Sequence, residues 1–312
     1  MIVSEQTRRG YEHSDYAASL TDFGTPVHLA RADAWILRRP IPGSVYSDGM
    51  GPYPLFFCKN WSCLESDLVN STAEMISFSI VTDPFAPCDE KMLRTIFDVV
   101  KPFKEHFVTD MQLPIDRIVS KSHLENARRA LRNVQVDICE QPEDFIEEWQ
   151  MLFSNLVQRH ALKGIKAFSR RAFEIQLRIP GLVMFRATEK ATGEALGHDL
   201  WYHQDDAAYA HLVAFDEKGY SLRAAYATKW HVLEYFRGRV SFLDFGGIAG
   251  TNGTQNPATG LSHFKSGWTT GRKPNYFCGK ILDTSAYAEL SQAQAVTQPA
   301  SYFPAYRYGE FH

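Results

Sequence analysis

The stretch "GLVMFRATEKATGEALGHDLWYHQDDAAYAHLVAFD", residues 181–216, limits the fold most strongly. Its apolar and β-branched runs are broken by "KATGEA" and "HQDDAA", which supply turn chemistry, so it reads as two or three strands joined by tight turns. "SLRAAYATKWHVLEYFRGR" follows with helical character and Gly238 near its end. "VSFLDFGG" then reads as a buried strand running into a site loop. A meander of strands, a helix and a further strand define an α/β arrangement around a mixed sheet.

The first half adds helices to this frame. "EKMLRTIFDVVKPFKEHF" places Met92, Leu93, Ile96, Val99 and Val100 at helical spacing, with Pro102 ending or kinking the helix. "HFVTDMQLP" reads as a short strand closed by Pro114. "DRIVSKSHLENARRALRNV" is a second amphipathic helix carrying Arg128, Arg129 and Arg132 on its polar face. "QPEDFIEEWQMLFSNLVQRHAL" is a third, acidic at its start and basic at its end, as the helix dipole favours. The spacing predicts a domain boundary near residues 134–142.

Composition narrows the function classes. A chain of 312 residues has room for about two ordinary domains. A formal charge of −3 argues against a wholly basic nucleic-acid binder but leaves room for a local basic patch. The five cysteines include no Cys-x-x-Cys pair, which suits neither a disulfide framework nor structural zinc. The N-terminal segment is charged and lacks a signal peptide's apolar stretch, and no apolar run approaches the roughly 20 residues that span a bilayer. A cytoplasmic protein is expected.

The chemistry concentrates in "DFGGIAGTNGTQNPATGLSHFKSGW", residues 244–268. Gly246, Gly247, Gly250 and Gly253 let backbone approach a ligand and adopt positive φ; the alternative is an ordinary surface loop. Asp244 either accepts a proton or fixes the turn, and a carboxylate beside Gly-Gly favours the turn. Lys265, flanked by Phe264 and Trp268, suits a cation held at a developing oxyanion or at a donor phosphate, against the plainer reading of a lysine lying over aromatic rings. No Gly-x-Ser-x-Gly elbow, Walker loop or Gly-x-Gly-x-x-Gly occurs. His198 and His203 offer imidazoles at an interval that alternates faces of a strand, so no metal site is expected.

These residues resemble the Fem family, the aminoacyl-tRNA-dependent transferases of peptidoglycan bridges and their relatives on the GNAT fold. Asp244-Phe245-Gly246-Gly247 matches the family's Asp-x-Gly-Gly strand end. Gly260-Leu261 and Phe264-Lys265 match its Gly-Leu-x-x-Phe-Lys signature, while Ser266-Gly267-Trp268 departs from the hydrophobic-glycine pair found one step later. "YSDGMGPYPLFF", residues 46–57, resembles the turn of the family's first half, and "SKSHLENARRALRNVQV" its Arg-rich closing helix.

The resemblance implies two tandem GNAT-like subdomains, α/β with mixed sheets flanked by helices. The first is expected over 1–137, completed by 295–312, and the second, with the donor site, over 138–294. It implies an acyltransferase that forms an amide on a small-molecule or peptide amine. The donor is aminoacyl-tRNA or acyl-CoA, and no cofactor is held tightly. Lys265 and Asp244 are the implied catalytic residues, with Gly219, Arg223, Gly246, Gly247 and Phe264 facing the donor.

The Arg/Gln-x-x-Gly-x-Gly pyrophosphate loop of acetyl-CoA-dependent relatives is missing. "FDEKGYSLRAAYATKW" stands there instead, keeping Gly219 and Arg223 before a helix N-terminus. Lys163, Lys166, Arg170, Arg171 and Arg178, with Arg272 and Lys273, form either a tRNA acceptor-stem contact or a solvated face. The alternative function is a catalytically silent binding protein on the same fold.

Overall fold

The computed structural model describes residues 8–71, 75–139, 141–248, 259–292 and 302–310. Among them the strands are β1 (Thr25–Leu29), β2 (Ala34–Pro40), β3 (Ser47–Met50), β4 (Met75–Val81), β5 (Val99–Asp110), β6 (Val134–Cys139), β7 (Leu182–Glu189), β8 (Ala195–Gln204), β9 (Ala207–Phe215), β10 (Phe242–Asp244) and β11 (Gly271–Ile281).

The chain forms two compact units. One comprises Ser14–Phe103, Lys163–Phe168 and Pro274–His312; the other comprises Met1–His13, Lys104–Leu162 and Ser169–Lys273. This division replaces the expected boundary at 137/138. Its physical cause is β5. The helix expected to end or kink at Pro102 stops earlier, at Ile96, where Phe97 is already extended, and the strand expected from His106 begins at Val99 and runs to Asp110. Adjacent Val99 and Val100 favour the pleated chain, and Pro102 is tolerated in a strand where no ladder N–H is required. The end of β5 then pairs antiparallel with β10, Asp110 opposite Phe242 and Val108 opposite Asp244. Residues 104–139 therefore pack with the second half of the sequence.

Both units repeat one plan. In the unit of Ser14–Phe103, β1, β2 and β3 form an antiparallel meander, the helix Trp61–Ser71 crosses over, and β4 returns parallel to β3. In the other, β6, β7, β8 and β9 are antiparallel neighbours, the helix Ala224–Phe236 crosses over, and β10 returns parallel to β9. A parallel return needs such a crossover, because a tight turn only joins antiparallel strands. The sequence-predicted meander of 181–216 is therefore present as three strands, with both turns where "KATGEA" and "HQDDAA" fall. Tyr302–Glu310 lies in the unit of Ser14–Phe103 and contains a short 3-10 turn, Ala305–Arg307.

The site is created by how β9 and β10 part. Pairing covers only Ala207–Tyr209 against Phe242–Asp244, while β9 continues to Phe215. Beyond that point the chain after Asp244 stays with β5, through Phe245 N–H to Phe107 O, and leaves β9. A bulge supports the divergence, since Leu200 faces Leu212 and Trp201 faces Ala210, leaving His211 as the extra residue. Behind the opening sits a core of Phe185, Leu196, Trp201, Ala208, Leu233, Phe236, Leu243, Phe245 and Trp268. Among the described residues no helix is long and apolar enough to cross a membrane.

Candidate functional site

The strand end at Asp244 is a constructed turn. Asp244 is buried, and its Oδ1 accepts the Gly246 N–H at 2.7 Å. Its Oδ2 lies 2.7 Å from Nδ1 of buried His106 on β5. Gly246 adopts φ +74°, the left-handed region that glycine tolerates best. A Cβ on Gly247 would stand 2.9 Å from Cβ of Lys104, so that position has no room for a side chain. Asp244 thus takes the turn-fixing role that its sequence context favours.

This turn aims two carbonyls at Lys265. Its Nζ donates to Gly246 O at 3.1 Å and to Gly247 O at 2.9 Å. An ammonium has three N–H donors. One therefore remains without a described acceptor. Burial lowers the Lys265 pKa from 10.5 to about 8; Lys229 and Lys104 push the same way, and Asp244 opposes them. The residue lies on a helix, Thr259–Ser266, where the sequence suggests a loop. Gly250 and Gly253, and with them most of the glycine-rich loop, lie outside the described residues. The aromatic neighbour of the ammonium is Phe107, its ring centre 6.0 Å away, while Phe264 and Trp268 anchor the helix in the core.

The helix is held by a residue that sequence reading passed over. His123, fully buried on Lys121–Ala130, lies 3.1 Å through Nε2 from Phe264 O and 2.8 Å through Nδ1 from Ser120 Oγ. Its ring meets Trp268 edge-on at 5.3 Å. Gly267 is the consequence: a Cβ there would come within 2.2 Å of the imidazole. The departure from the family signature at Ser266-Gly267-Trp268 therefore has a packing cause. Gly267→Ala is expected to destabilise the fold by about 1–3 kcal/mol, the cost of overpacking. His123→Ala in the same chain should recover part of that loss, as urea midpoints of the three variants would show.

A buried ion pair backs the site. Lys229 Nζ donates to Asp199 Oδ1 at 2.9 Å, and Trp201 Nε1 donates to the same oxygen at 2.8 Å. The ammonium of Lys229 lies over Trp201 at 4.7 Å and Phe245 at 5.5 Å. On the outer side, Arg272 stacks over Phe107 at 4.4 Å and pairs with Glu105 at 3.3 Å. Lys104, Lys265 and Arg272 thus gather around Phe107 and Gly247.

Gly219 and Arg223 are not part of this cluster. The Gly219 N–H is taken by Asp216 Oδ1 at 2.6 Å, and a Cβ would meet Leu196 O at 2.4 Å, so the glycine serves packing. A carboxylate already occupies the place the sequence offers to a phosphate. Arg223 is exposed at φ +60°, where the helix Ala224–Phe236 begins, and Nη1 donates to Asn126 Oδ1 at 2.5 Å. Of the basic residues offered either to a tRNA acceptor stem or to a solvated face, Arg170 is engaged by Glu147 and Glu174. His198 is bonded to Glu148, and among the described residues no group of three His, Cys, Asp or Glu side chains is placed to hold a metal ion.

No protein-family model matches the chain. No curated protein matches it in sequence. Solved structures match over nearly its whole length. FemX superposes with a TM-score of 0.68 at 12% identity, covering 93% of this chain and 98% of its own. The C-terminal domain of a putative lysylphosphatidylglycerol synthetase from Agrobacterium fabrum gives 0.60 at 11% identity, over 92% and 91%. L-PGS from Bacillus licheniformis gives 0.54 at 11% identity, over 88% and 93%. The chain has the tandem, Fem-like GNAT fold that its motifs predict.

Proposed function

We propose that the protein is an acyltransferase that moves an aminoacyl group from the ester of an aminoacyl-tRNA-type donor to the amine of a small molecule or peptide, forming an amide. The observation that carries this reading is Lys265: an ammonium oriented by the carbonyls of Gly246 and Gly247 beside the opening of β9 and β10, with one N–H left over. The likeness in fold to FemX and to a putative lysylphosphatidylglycerol synthetase supports it. In the reaction the amine nitrogen attacks the ester carbonyl carbon. The remaining Lys265 N–H donates to the oxyanion, the carbon–oxygen ester bond breaks, and the amine's proton ends on the leaving ribose oxygen. An ester donor is favoured over acyl-CoA because the only glycine of the strand-to-helix junction has its amide filled by Asp216. The cations Lys104 and Arg272, gathered with Lys265 around Gly247 and Phe107, suit a phosphodiester backbone; Arg223 is left to a more distal phosphate.

The test is direct. The purified chain is mixed with radiolabelled aminoacyl-tRNA or with acyl-CoA thioesters and a panel of amines. Label should pass from tRNA into an amide stable to mild base. Transfer from thioester alone would overturn the donor assignment, and transfer from neither would leave the silent binding protein.

A pH profile checks the role of Lys265. Because its pKa is about 8, turnover should decline as pH rises through 8 and the ammonium is lost. Residual activity of Lys265→Arg should lack that limb, since guanidinium stays charged. Stability runs the other way. The folded-state pKa lies below the unfolded value of 10.5, so between about 8 and 10.5 the unfolded chain binds more protons. The Lys265 contribution to stability should rise with pH across that window, read as the difference in urea midpoint between the wild type and Lys265→Ala.

A further inference from the structure

The unit of Ser14–Phe103 contains a charge cluster that acyl transfer at Lys265 does not use. Asp48 on β3 is fully buried and accepts from Arg39 at 3.1 and 3.3 Å and from Arg307 at 2.6 and 3.0 Å. Each arginine is buried and has one terminal nitrogen left over after Asp48. Both of these Nη1 atoms turn to the same carboxylate, that of Glu310: Arg39 at 3.2 and 3.4 Å, Arg307 at 3.0 Å. Glu310 itself is 30% exposed.

A cavity of about 440 Å³ opens at this point, lined by Arg39, Arg307 and Glu310 together with Phe23, Met50, Ile165 and Asp22. Two guanidiniums facing Asp48 and Glu310 are balanced. Without Glu310 one positive charge stays uncompensated at the cavity wall, and an uncompensated buried charge is costly. The paired nitrogens form a fork suited to a planar carboxylate.

We propose that this cavity is a second ligand site, and that Glu310 stands in the place of a ligand carboxylate. The ligand is a zwitterionic amino acid or short peptide. Its free carboxylate takes the Nη1 atoms of Arg39 and Arg307 when Glu310 gives way. Phe23, Met50 and Ile165 provide apolar cover for the chain between its ends. Exposed Asp22 on the same wall attracts the ammonium. The site stands apart from the acyl-transfer reading and survives its failure.

Glu310→Ala in the full-length chain tests it, with isothermal titration calorimetry and thermal unfolding as readouts. The probes are L-alanine, L-alanyl-glycine, the C-terminal amides of both, and inorganic phosphate. The variant should melt below the wild type, and a free carboxylate probe should restore its midpoint while the matching amide does not. The carboxylate probe should bind the variant about tenfold or more tightly than the wild type, because the competing side chain is gone. Preference for alanine or for the dipeptide identifies the source of the carboxylate. The proposal is overturned if amides bind as well as acids, if phosphate alone restores the midpoint, or if neither carboxylate probe distinguishes variant from wild type.

Discussion

Lys265→Ala should reduce turnover by roughly 10²-fold or more, the scale of one lost oxyanion donor, with little change in the unfolding midpoint. The two halves of this expectation have separate causes. The alanine chain loses the N–H that meets the oxyanion, and two glycine carbonyls lose a partner. It also loses the cost of holding an ammonium out of water, which is the cost that depresses the lysine's pKa. Hydrogen bonds to a charged group contribute about 1.5–3 kcal/mol, and the relieved desolvation offsets much of that. Lys265→Arg should recover only part of the rate, because a planar fork cannot occupy the position of a compact ammonium between Gly246 O and Gly247 O. Steady-state rates with the true substrates, set beside melting curves, check both halves. Wild-type turnover in the alanine variant would make Lys265 a packing residue.

What the sequence showed and what it hid follow from chain distance. Asp244, Gly246, Gly247, Phe264 and Lys265 lie within one short stretch, and the turn chemistry of Asp-x-Gly-Gly is local, so their meeting was legible. His106 was not. It reaches Asp244 across 138 positions, through pairing of β5 with β10. The strand expected from His106 is present, but its start at Val99 is masked by the helical spacing of Val99 and Val100, and nothing local says which strand it pairs with. His123 sits on an Arg-rich helix whose polar face dominates its sequence pattern, while its buried face holds Phe264 and Gly267. Gly219 shows the opposite failure: a glycine before a helix resembled an anion nest, but Asp216 three residues earlier had already filled it. A local Asp-x-x-Gly pattern was the available signal.

Asp48→Asn should be the most damaging single change in the other unit, lowering stability by about 3–5 kcal/mol, as expected when one partner of a buried charge pair is removed. In sequence Asp48 is one residue of "YSDGMGPY" and reads as turn polarity. In the fold it is 1% exposed, receives both guanidiniums, and also accepts Tyr306 Oη–H at 3.2 Å. An asparagine keeps the shape but leaves Arg39 and Arg307 with Glu310 as their remaining carboxylate, and turns an N–H₂ group toward donors. The loss should thus exceed that of Glu310→Ala, whose carboxylate is partly in water and makes fewer bonds. Coupling provides a sharper check than magnitude. Asp48→Leu combined with Arg307→Met removes one charge of each sign, so the pair should cost less than the sum of its single changes. Equilibrium unfolding in urea across the four chains of that cycle measures the coupling. If the effects simply add, the cluster is too well hydrated to compel Glu310 to its place, and the second ligand site loses its electrostatic basis.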